Sequence, residues 1–366
     1  MAKSRVLFGA VVFAATSIAA AAFAANITDA NVARTSADTL TITWTDADAV
    51  DVFVSSDPAA APKAAKLISK LDADGRHQMT TDTVSRQYFL LRDAKSGQIV
   101  RVAERAVPLS QGSNFRDIGG YPGADGKQVR WGVLYRSGGT PLLSDSDVSM
   151  VKSLGIKDMV DLRSSEERVL APTRLDGIRY AAVGYSIRQI MAARPAANTA
   201  TTGGAISQID MGAAYRGFPT LLTPQIKLLF AHMLGNEGPI AYNCAAGQDR
   251  TGFTTAMVLS VLGVPRDVIY KDYLLSVTYR HPEFEMPKID DATAATNPAA
   301  AMFAGYQRDP AYARPQPLQD ASGTPYLAAA MDEVEKHWGS IDNFLEKEIG
   351  LTPKNRERLR AMYLTN

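Results

Sequence analysis

The chain has 366 residues, 46% hydrophobic and 21% charged, with a formal net charge of +1. This is an ordinary globular composition, long enough for two domains and for a sizeable core. The near-neutral balance gives no electrostatic case for a nucleic-acid or membrane-surface partner.

Lys3 and Arg5 precede a short apolar run, "VLFGAVVFAATSI", and the small residues "AAAAFA" follow it. That order is the pattern of a secretory signal with a cut after Ala24. An uncleaved anchor is the alternative, but the run is short and alanine-rich against the roughly 20 strongly apolar residues a spanning helix needs. The expectation is a periplasmic or secreted protein with no stable membrane span after residues 1–24 are removed.

From residue 26 to 108 the pattern favours strands. Leu40, Ile42 and Trp44 alternate with threonines in "TLTITWT", and Val50, Val52 and Val54 alternate in "AVDVFVSS". "RQYFLLRD" and "QIVRVAERAV" follow, separated by the turn "AKSG". Short strands at this spacing indicate an all-β sandwich. With Trp44 early and Tyr88 late, the segment resembles a fibronectin type III domain. It shows no cluster that reads as a site, and a spacer or a surface for protein docking is the expectation.

"PLSQGSNFRDIGGYPGADGK" marks the boundary, and the periodicity changes after it. "SDSDVSMVKSLG" reads as a helix capped by Ser144 with Asp147 three residues on and Gly155 past its end. "IKDMVDLR" and "GPIAYN" read as buried strands; "LLTPQIKLLFAHML", "TGFTTAMVLSVLG" and "PRDVIYKDYLLSV" read as helices. Such alternation implies an α/β domain with a mostly parallel sheet flanked by helices. Two stretches, Ser186 to Gln208 and Arg280 to Pro317, are rich in small residues or proline and read as long loops, either lids or disordered. The chain ends in three helical segments, "PYLAAAMDEVEKHW", "SIDNFLEKEI" and "KNRERLRAMYL".

Cys244 is the only cysteine, so it forms no internal disulfide and is either an inert buried thiol or a reactive one. Its surroundings favour reactivity. "PIAYN" is a strand, "CAAGQDR" a tight loop, and "TGFTTAMVLSVLG" a helix starting at that loop. Unpaired amides and the dipole at a helix start attract phosphate, and converging loop amides form an anion nest. Gly247 permits the backbone angles such a loop needs. The same field favours the thiolate, which can attack phosphorus. Arg250, six positions on, offers a planar fork for two phosphate oxygens. The Thr251 hydroxyl can donate to the departing thiolate.

"NCAAGQDRTG" resembles the signature of cysteine-dependent protein tyrosine phosphatases, in particular a bacterial branch whose loop reads Cys, two residues, Gly, any residue, Asp, Arg, Thr, Gly. "NFRDIGGY", "LYRSG", "DLRSSEER", "LGVPRDVIYKDYLLS" and the terminal "YLAAAMDEVEKHWGSIDNFLEKEIGL" occur in that branch in the same order, and the likeness covers about residue 113 to the end. The resemblance implies the α/β cysteine-phosphatase fold over 113–366, nucleophile Cys244, phosphate-binding Arg250, and a cradle of Ala245, Ala246, Gly247, Gln248 and Asp249. It implies Asp249 as the acid; Asp249 as a structural anchor is the alternative, and Asp210 is the second choice for the acid.

Two positions depart from the pattern. Asn243 stands where the branch usually has histidine, and Gln248 stands where members acting on phosphoinositides often carry lysine. Arg116 and Asp117 read as a buried ion pair with each other or as substrate contacts, and Arg136 with Ser137 as pocket lining or a cap. Asp161 and Arg163 read as loop supports or phosphate contacts. The four histidines lack ligand spacing, and neither a metal nor an organic cofactor is expected. The expected activity is hydrolysis of a phosphorylated protein or small phosphoester through a cysteinyl-phosphate. Phosphoinositide hydrolysis, a catalytically weak phosphate-docking module and sulfur transfer are the rivals.

Overall fold

The computed structural model describes residues 27–81, 86–187, 210–235 and 237–365. The signal-like start and most of the Ser186–Gln208 stretch lie outside them.

Seven strands make the N-terminal region: β1 (Thr28–Ser36), β2 (Thr39–Thr45), β3 (Val50–Ser55), β4 (Lys66–Asp72), β5 (Arg76–Thr80), β6 (Tyr88–Asp93) and β7 (Ile99–Ala103). They form a three-stranded sheet, β1-β2-β5, and a four-stranded sheet, β4-β3-β6-β7, antiparallel throughout. The alternation read from the sequence is what fills the interior. Leu40, Ile42 and Trp44 of β2 meet Val50, Val52, Val54, Phe89 and Leu91 from the other sheet in one apolar cluster. β1, β4 and β5 were not distinguished individually, because "KLISKLD" and "RHQMT" bury almost nothing and so carry little hydrophobic signal.

The second region is built on a five-stranded sheet. Its strands are β8 (Arg116–Asp117), β9 (Leu134–Ser137), β10 (Asp158–Asp161), β11 (Arg179–Ala182) and β12 (Ile240–Asn243), in the order β11-β10-β12-β9-β8. All pairs are parallel except β8 with β9. The chain lays down β9, then β10 and β11, and returns to place β12 between β9 and β10. Ser137, Asn243 and Asp161 stand side by side at the strands' C-terminal ends. This is where open α/β sheets gather ligands.

Helices around the sheet are α1 (Asp145–Ser153), α2 (Ser165–Leu170), α3 (Met211–Arg216), α4 (Phe218–Leu221), α5 (Thr223–Gly235), α6 (Asp249–Val261), α7 (Arg266–Leu274), α8 (Ser276–Tyr279), α9 (Asp291–Thr296), α10 (Pro298–Arg308), α11 (Tyr326–Trp338), α12 (Ile341–Lys347) and α13 (Pro353–Tyr363). Helix α1 starts at the expected capping box, Ser144 with Asp147. Helix α6 is buried nearly all round and forms the spine of the main core with α5, α11, α12 and α13. The Arg280–Pro317 stretch is not a plain loop: it folds into α9 and α10, each started by an Asx cap at Asp290 or Asn297. Alanine's helix propensity and those caps outweigh the prolines: Pro298 is the first residue of α10, and Pro282 and Pro310 open short 3₁₀ turns, positions where no helical amide is lost. Among the described residues, no helix is long and apolar enough to cross a membrane.

The two regions meet along β6 and β7. Tyr88 and Ala103 pack on Trp131, whose Nε1 donates to the Arg101 carbonyl at 3.0 Å. Arg105 lies over the rings of Tyr121 and Trp131.

Candidate active site

Strand β12 delivers Cys244 to the turn before α6. What shapes that turn is the placement of its carbonyls. Asn243 Nδ2 donates to the Cys244 carbonyl at 3.2 Å. The Ala245 carbonyl accepts from the Gly139 amide at 2.7 Å. Asn114 Nδ2 donates to the carbonyls of Ala246 and Gly247 at 3.0 and 2.9 Å, and Arg136 Nη2 donates to Gly247 at 2.8 Å. Each carbonyl is therefore drawn outward into protein. In a trans peptide the following N–H points the opposite way. The amides of Ala245 through Arg250 accordingly turn inward, and none of them donates to any acceptor among the described residues. No side chain caps the start of α6. The row of free amides meets the helix dipole in one place, which is an anion site.

Gly247 has φ +63°, and a Cβ there would lie 2.3 Å from the Ser137 carbonyl carbon. Glycine is needed both for the left-handed angle and for the close approach to β9.

Beneath the carbonyls lies a buried charge cluster. Arg116 and Arg136 are fully buried and share Asp272 of α7: Arg136 Nη1 donates to Oδ2 at 2.5 Å and Arg116 Nε to Oδ1 at 3.3 Å. Burial alone would raise the Asp272 carboxyl, but Arg116 and Arg136 hold it well below the usual carboxylate range. Burial, and then the neighbouring Arg136 charge, bring the Arg116 guanidinium down to about 10. Arg116 also donates to Asn114 Oδ1, so the asparagine that ties down the loop is itself tied to the cluster.

Arg250 donates end-on to Glu167 through Nη1 and Nη2, both at 2.7 Å, and through Nη1 to Tyr185 Oη at 2.6 Å. Its Nε–H and second Nη2–H have no acceptor among the described residues, leaving one bidentate edge for an oxyanion. Glu167 is nearly fully buried; burial would raise its carboxyl, but the Arg250 charge and hydrogen bonds bring it down to about 2. Its orientation follows from the sequence. Ser164 and Glu167 form a capping box at α2, with the Ser164 amide donating to Glu167 Oε2 at 2.8 Å.

Cys244 is 1% exposed and touches the apolar cluster around α6, and it lies within electrostatic reach of Arg250 and Tyr185. Among the described residues, Thr251 Oγ1 and Ser137 Oγ are buried without hydrogen-bond partners, as is Asn243 Oδ1. Asp249 Oδ1 accepts from Tyr215 Oη and from Gln248 Nε2, while its Oδ2 accepts nothing among the described residues. Tyr215 in turn shares a 2.6 Å hydrogen bond with Tyr273. Burial pushes both phenols up, so they stay protonated.

Several sequence expectations need correction. Arg116 and Asp117 do not pair with each other: adjacent residues of a strand face opposite ways. Arg116 goes to Asp272, and Asp117 accepts from the amides of Gly119 and Gly132 and from Arg86 Nη2 at 3.3 Å, joining the two regions. Arg136 neither lines a pocket nor caps an element, since its hydrogen bonds go to Asp272 and the loop carbonyls. Asp161 and Arg163 bind each other, with Arg163 Nη2 to Asp161 Oδ2 at 2.6 Å; Arg163 also donates to the Ala171 carbonyl and to Thr173. They brace α2 and hence Glu167. Asp210 caps α3 and is exposed, with no hydrogen bond or ion pair to the loop among the described residues.

Sequence reading missed Asn114, Glu167, Tyr185, Tyr215, Tyr273 and Asp272. The Ser-x-x-Glu box was the one local signal available for Glu167. Asp272 lies within a helical stretch where an acid normally signifies a solvated face.

Residues 107–365 match the model of a tyrosine phosphatase family. The chain belongs to that family. It is 32% identical over 254 residues to a putative tyrosine-protein phosphatase of Cupriavidus necator, covering 69% of this chain and 86% of the relative. It is 30% identical over 283 residues to the triple specificity protein phosphatase PtpB of Mycobacterium tuberculosis, covering 69% of this chain and 96% of that protein. A tyrosine-protein phosphatase of Nostoc commune is 24% identical over 229 residues, 60% of this chain and 70% of the relative. The tyrosine phosphatase fold and a phosphoester-hydrolysing activity follow for this chain.

Proposed function

We propose that the chain hydrolyses phosphomonoesters, phosphotyrosine among them, with Cys244 as the nucleophile and a cysteinyl-phosphate as the intermediate. The observation that carries this reading is the ring of unclaimed amides, Ala245 to Arg250, closed by the free edge of Arg250. Six N–H groups and a guanidinium fork converge where a phosphoryl group's equatorial oxygens would lie. That arrangement opposes the charge spread over the transition state. The thiolate attacks phosphorus in line while the P–O bond to the alcohol or phenol breaks. Asp249, through Oδ2, delivers the proton to the leaving oxygen; Tyr215 holds Oδ1 and so fixes which oxygen is free. Asp249 then takes a proton from water, which attacks phosphorus and releases the thiolate and inorganic phosphate. Thr251, whose Oγ1 has no hydrogen-bond partner among the described residues, donates to that thiolate.

The triple specificity of PtpB suggests a substrate range wider than phosphotyrosine for this chain as well. Gln248 in place of lysine argues against a preference for polyanionic inositol headgroups. We further propose that residues 1–24 direct export and that the β-sandwich offers a docking surface. The two-sheet arrangement and the fibronectin-like spacing support the second reading, and the charge-apolar-small pattern supports the first.

A panel of phosphotyrosine, phosphoserine and soluble phosphoinositide substrates tests the assignment, with wild type beside Cys244→Ser. Turnover of phosphotyrosine peptide should dominate and fall by about 10⁴-fold or more in the variant. Turnover retained by Cys244→Ser overturns the mechanism, and a preference for phosphoinositide overturns the substrate reading.

A further inference from the structure

The far pole of the β-sandwich carries a feature that phosphate chemistry does not use. The β2–β3 loop brings Asp46 and Asp48 beside Asp93, at the end of β6, and one ligand oxygen from each lies within 4.8 Å of the others. Strand β6 begins at Tyr88, against Trp131 of the phosphatase region, and ends at Asp93. At about 3.3 Å per residue the cluster lies well removed from that interface.

The two inner carboxylates are arranged alike. Asp93 is fully buried; its Oδ1 accepts from the amides of Lys95 and Ser96 at 2.8 and 2.6 Å, and its Oδ2 is buried with no donor among the described residues. Asp46 Oδ1 accepts from the Asp48 amide at 3.1 Å, and its Oδ2 is likewise buried with no donor among the described residues. Lys95 Nζ stands 3.4 Å from Asp48 Oδ2, and the Lys95 side chain is 74% exposed. A buried anionic oxygen without a donor is costly, and such groups are rare in folded proteins. Two in one cluster of three acids call for a positive charge between them.

We propose that Asp46, Asp48 and Asp93 hold a calcium ion. The donor set is all oxygen and includes no histidine, which selects a hard cation. Calcium bonds of about 2.4 Å allow two ligand oxygens to stand nearly 5 Å apart, and calcium accepts an irregular shell completed by carbonyls and water. Magnesium's shorter, octahedral shell is more restrictive. With Lys95 offsetting one of three carboxylates, a divalent ion balances the remainder. The ion would pin the β2–β3 loop to the β6–β7 turn, which the Ala94 amide already joins to the Ala49 carbonyl at 2.9 Å.

The test is a calcium chloride titration of the full chain after EGTA treatment and desalting, followed by calorimetry and thermal unfolding. The expected result is about one calcium per chain, with a dissociation constant on the order of 10⁻⁴ M, typical of extracellular sites. The sandwich transition should shift upward by several degrees and return with EGTA. Magnesium should shift it less. Asp48→Asn and Asp46→Asn, which keep the side-chain volume, should lose the shift while turnover of an aryl phosphate stays at the wild-type rate with or without calcium. A wild type with no calcium heat and no shift overturns the proposal. So does a response retained by the Asp46→Asn/Asp48→Asn double variant. Stability that rises on mild acidification without a calcium response also overturns it, by placing a shared proton between Asp46 and Asp93.

Discussion

The β-sandwich interior and the floor beneath the phosphate loop are both buried, and they are held by opposite means. The sandwich core is apolar side chains from two sheets, with polar pairs such as Asp51 and Arg92 at its margin. Under the loop lie Arg116, Arg136 and Asp272, each fully buried. Replacing a buried ion cluster by apolar residues is often neutral or stabilising. Its value here is directional: hydrophobic packing cannot aim a carbonyl, and fixed donors can. The floor uses charge and amide donors to turn the carbonyls of Ala246 and Gly247 outward and so leaves their neighbours' amides to the substrate.

That contrast can be broken or sharpened by substitution. The largest loss below Cys244→Ser is expected for Gly247→Ala. A Cβ would collide with the Ser137–Gly138 backbone, and displacing the loop should lower kcat/KM by about 10³-fold. Steady-state kinetics check this; near-normal turnover would mean the loop tolerates another path.

Glu167→Gln should follow, at about 10²-fold in kcat/KM, because Arg250 loses its charged end-on partner and its aim. The same variant has a pH signature. Glu167 has a folded-state pKa of about 2 against an ordinary 4.5. Its ionised form therefore adds stability that is complete above about 4.5 and is lost as pH falls through about 2. Acid unfolding of wild type should show this component, and Glu167→Gln should lack it.

Asn114→Ala is expected to reduce kcat/KM by roughly 10-fold to 10²-fold. It frees two carbonyls while sparing the nucleophile and Arg250, and it should cost about 1–3 kcal/mol in denaturant unfolding. The smallest effect on chemistry belongs to the other region. Leu91→Ala should destabilise the sandwich by about 2–5 kcal/mol and leave the turnover of folded enzyme unchanged. A loss of kcat in Leu91→Ala would show that the two regions are not energetically separate.

The two regions also differed in how readable they were. Alternation marks β2 and β3 because their inward residues are apolar, whereas β4 and β5 are largely exposed and carry no period. In the phosphatase region the loop was legible because Cys244, Gly247 and Arg250 lie within one short turn whose strand and helix are strongly apolar. The groups that orient the loop were not, because they come from distant segments: Asn114, Glu167 and Asp272 meet it only through the fold. Arg116 and Asp117 read as a pair because they are adjacent in sequence, but neighbouring residues of a strand point to opposite faces. The Arg280–Pro317 stretch reads as a loop because of its prolines, yet Pro298 is the first residue of α10, where proline is tolerated.

The most direct test is to mix wild-type enzyme with an aryl phosphate, quench within the first turnover, and map the phosphoryl group by peptide mass spectrometry. The account predicts transient modification of the peptide carrying Cys244, absent in Cys244→Ser. Steady turnover with the phosphoryl group never found on Cys244, or found on another residue, would contradict it.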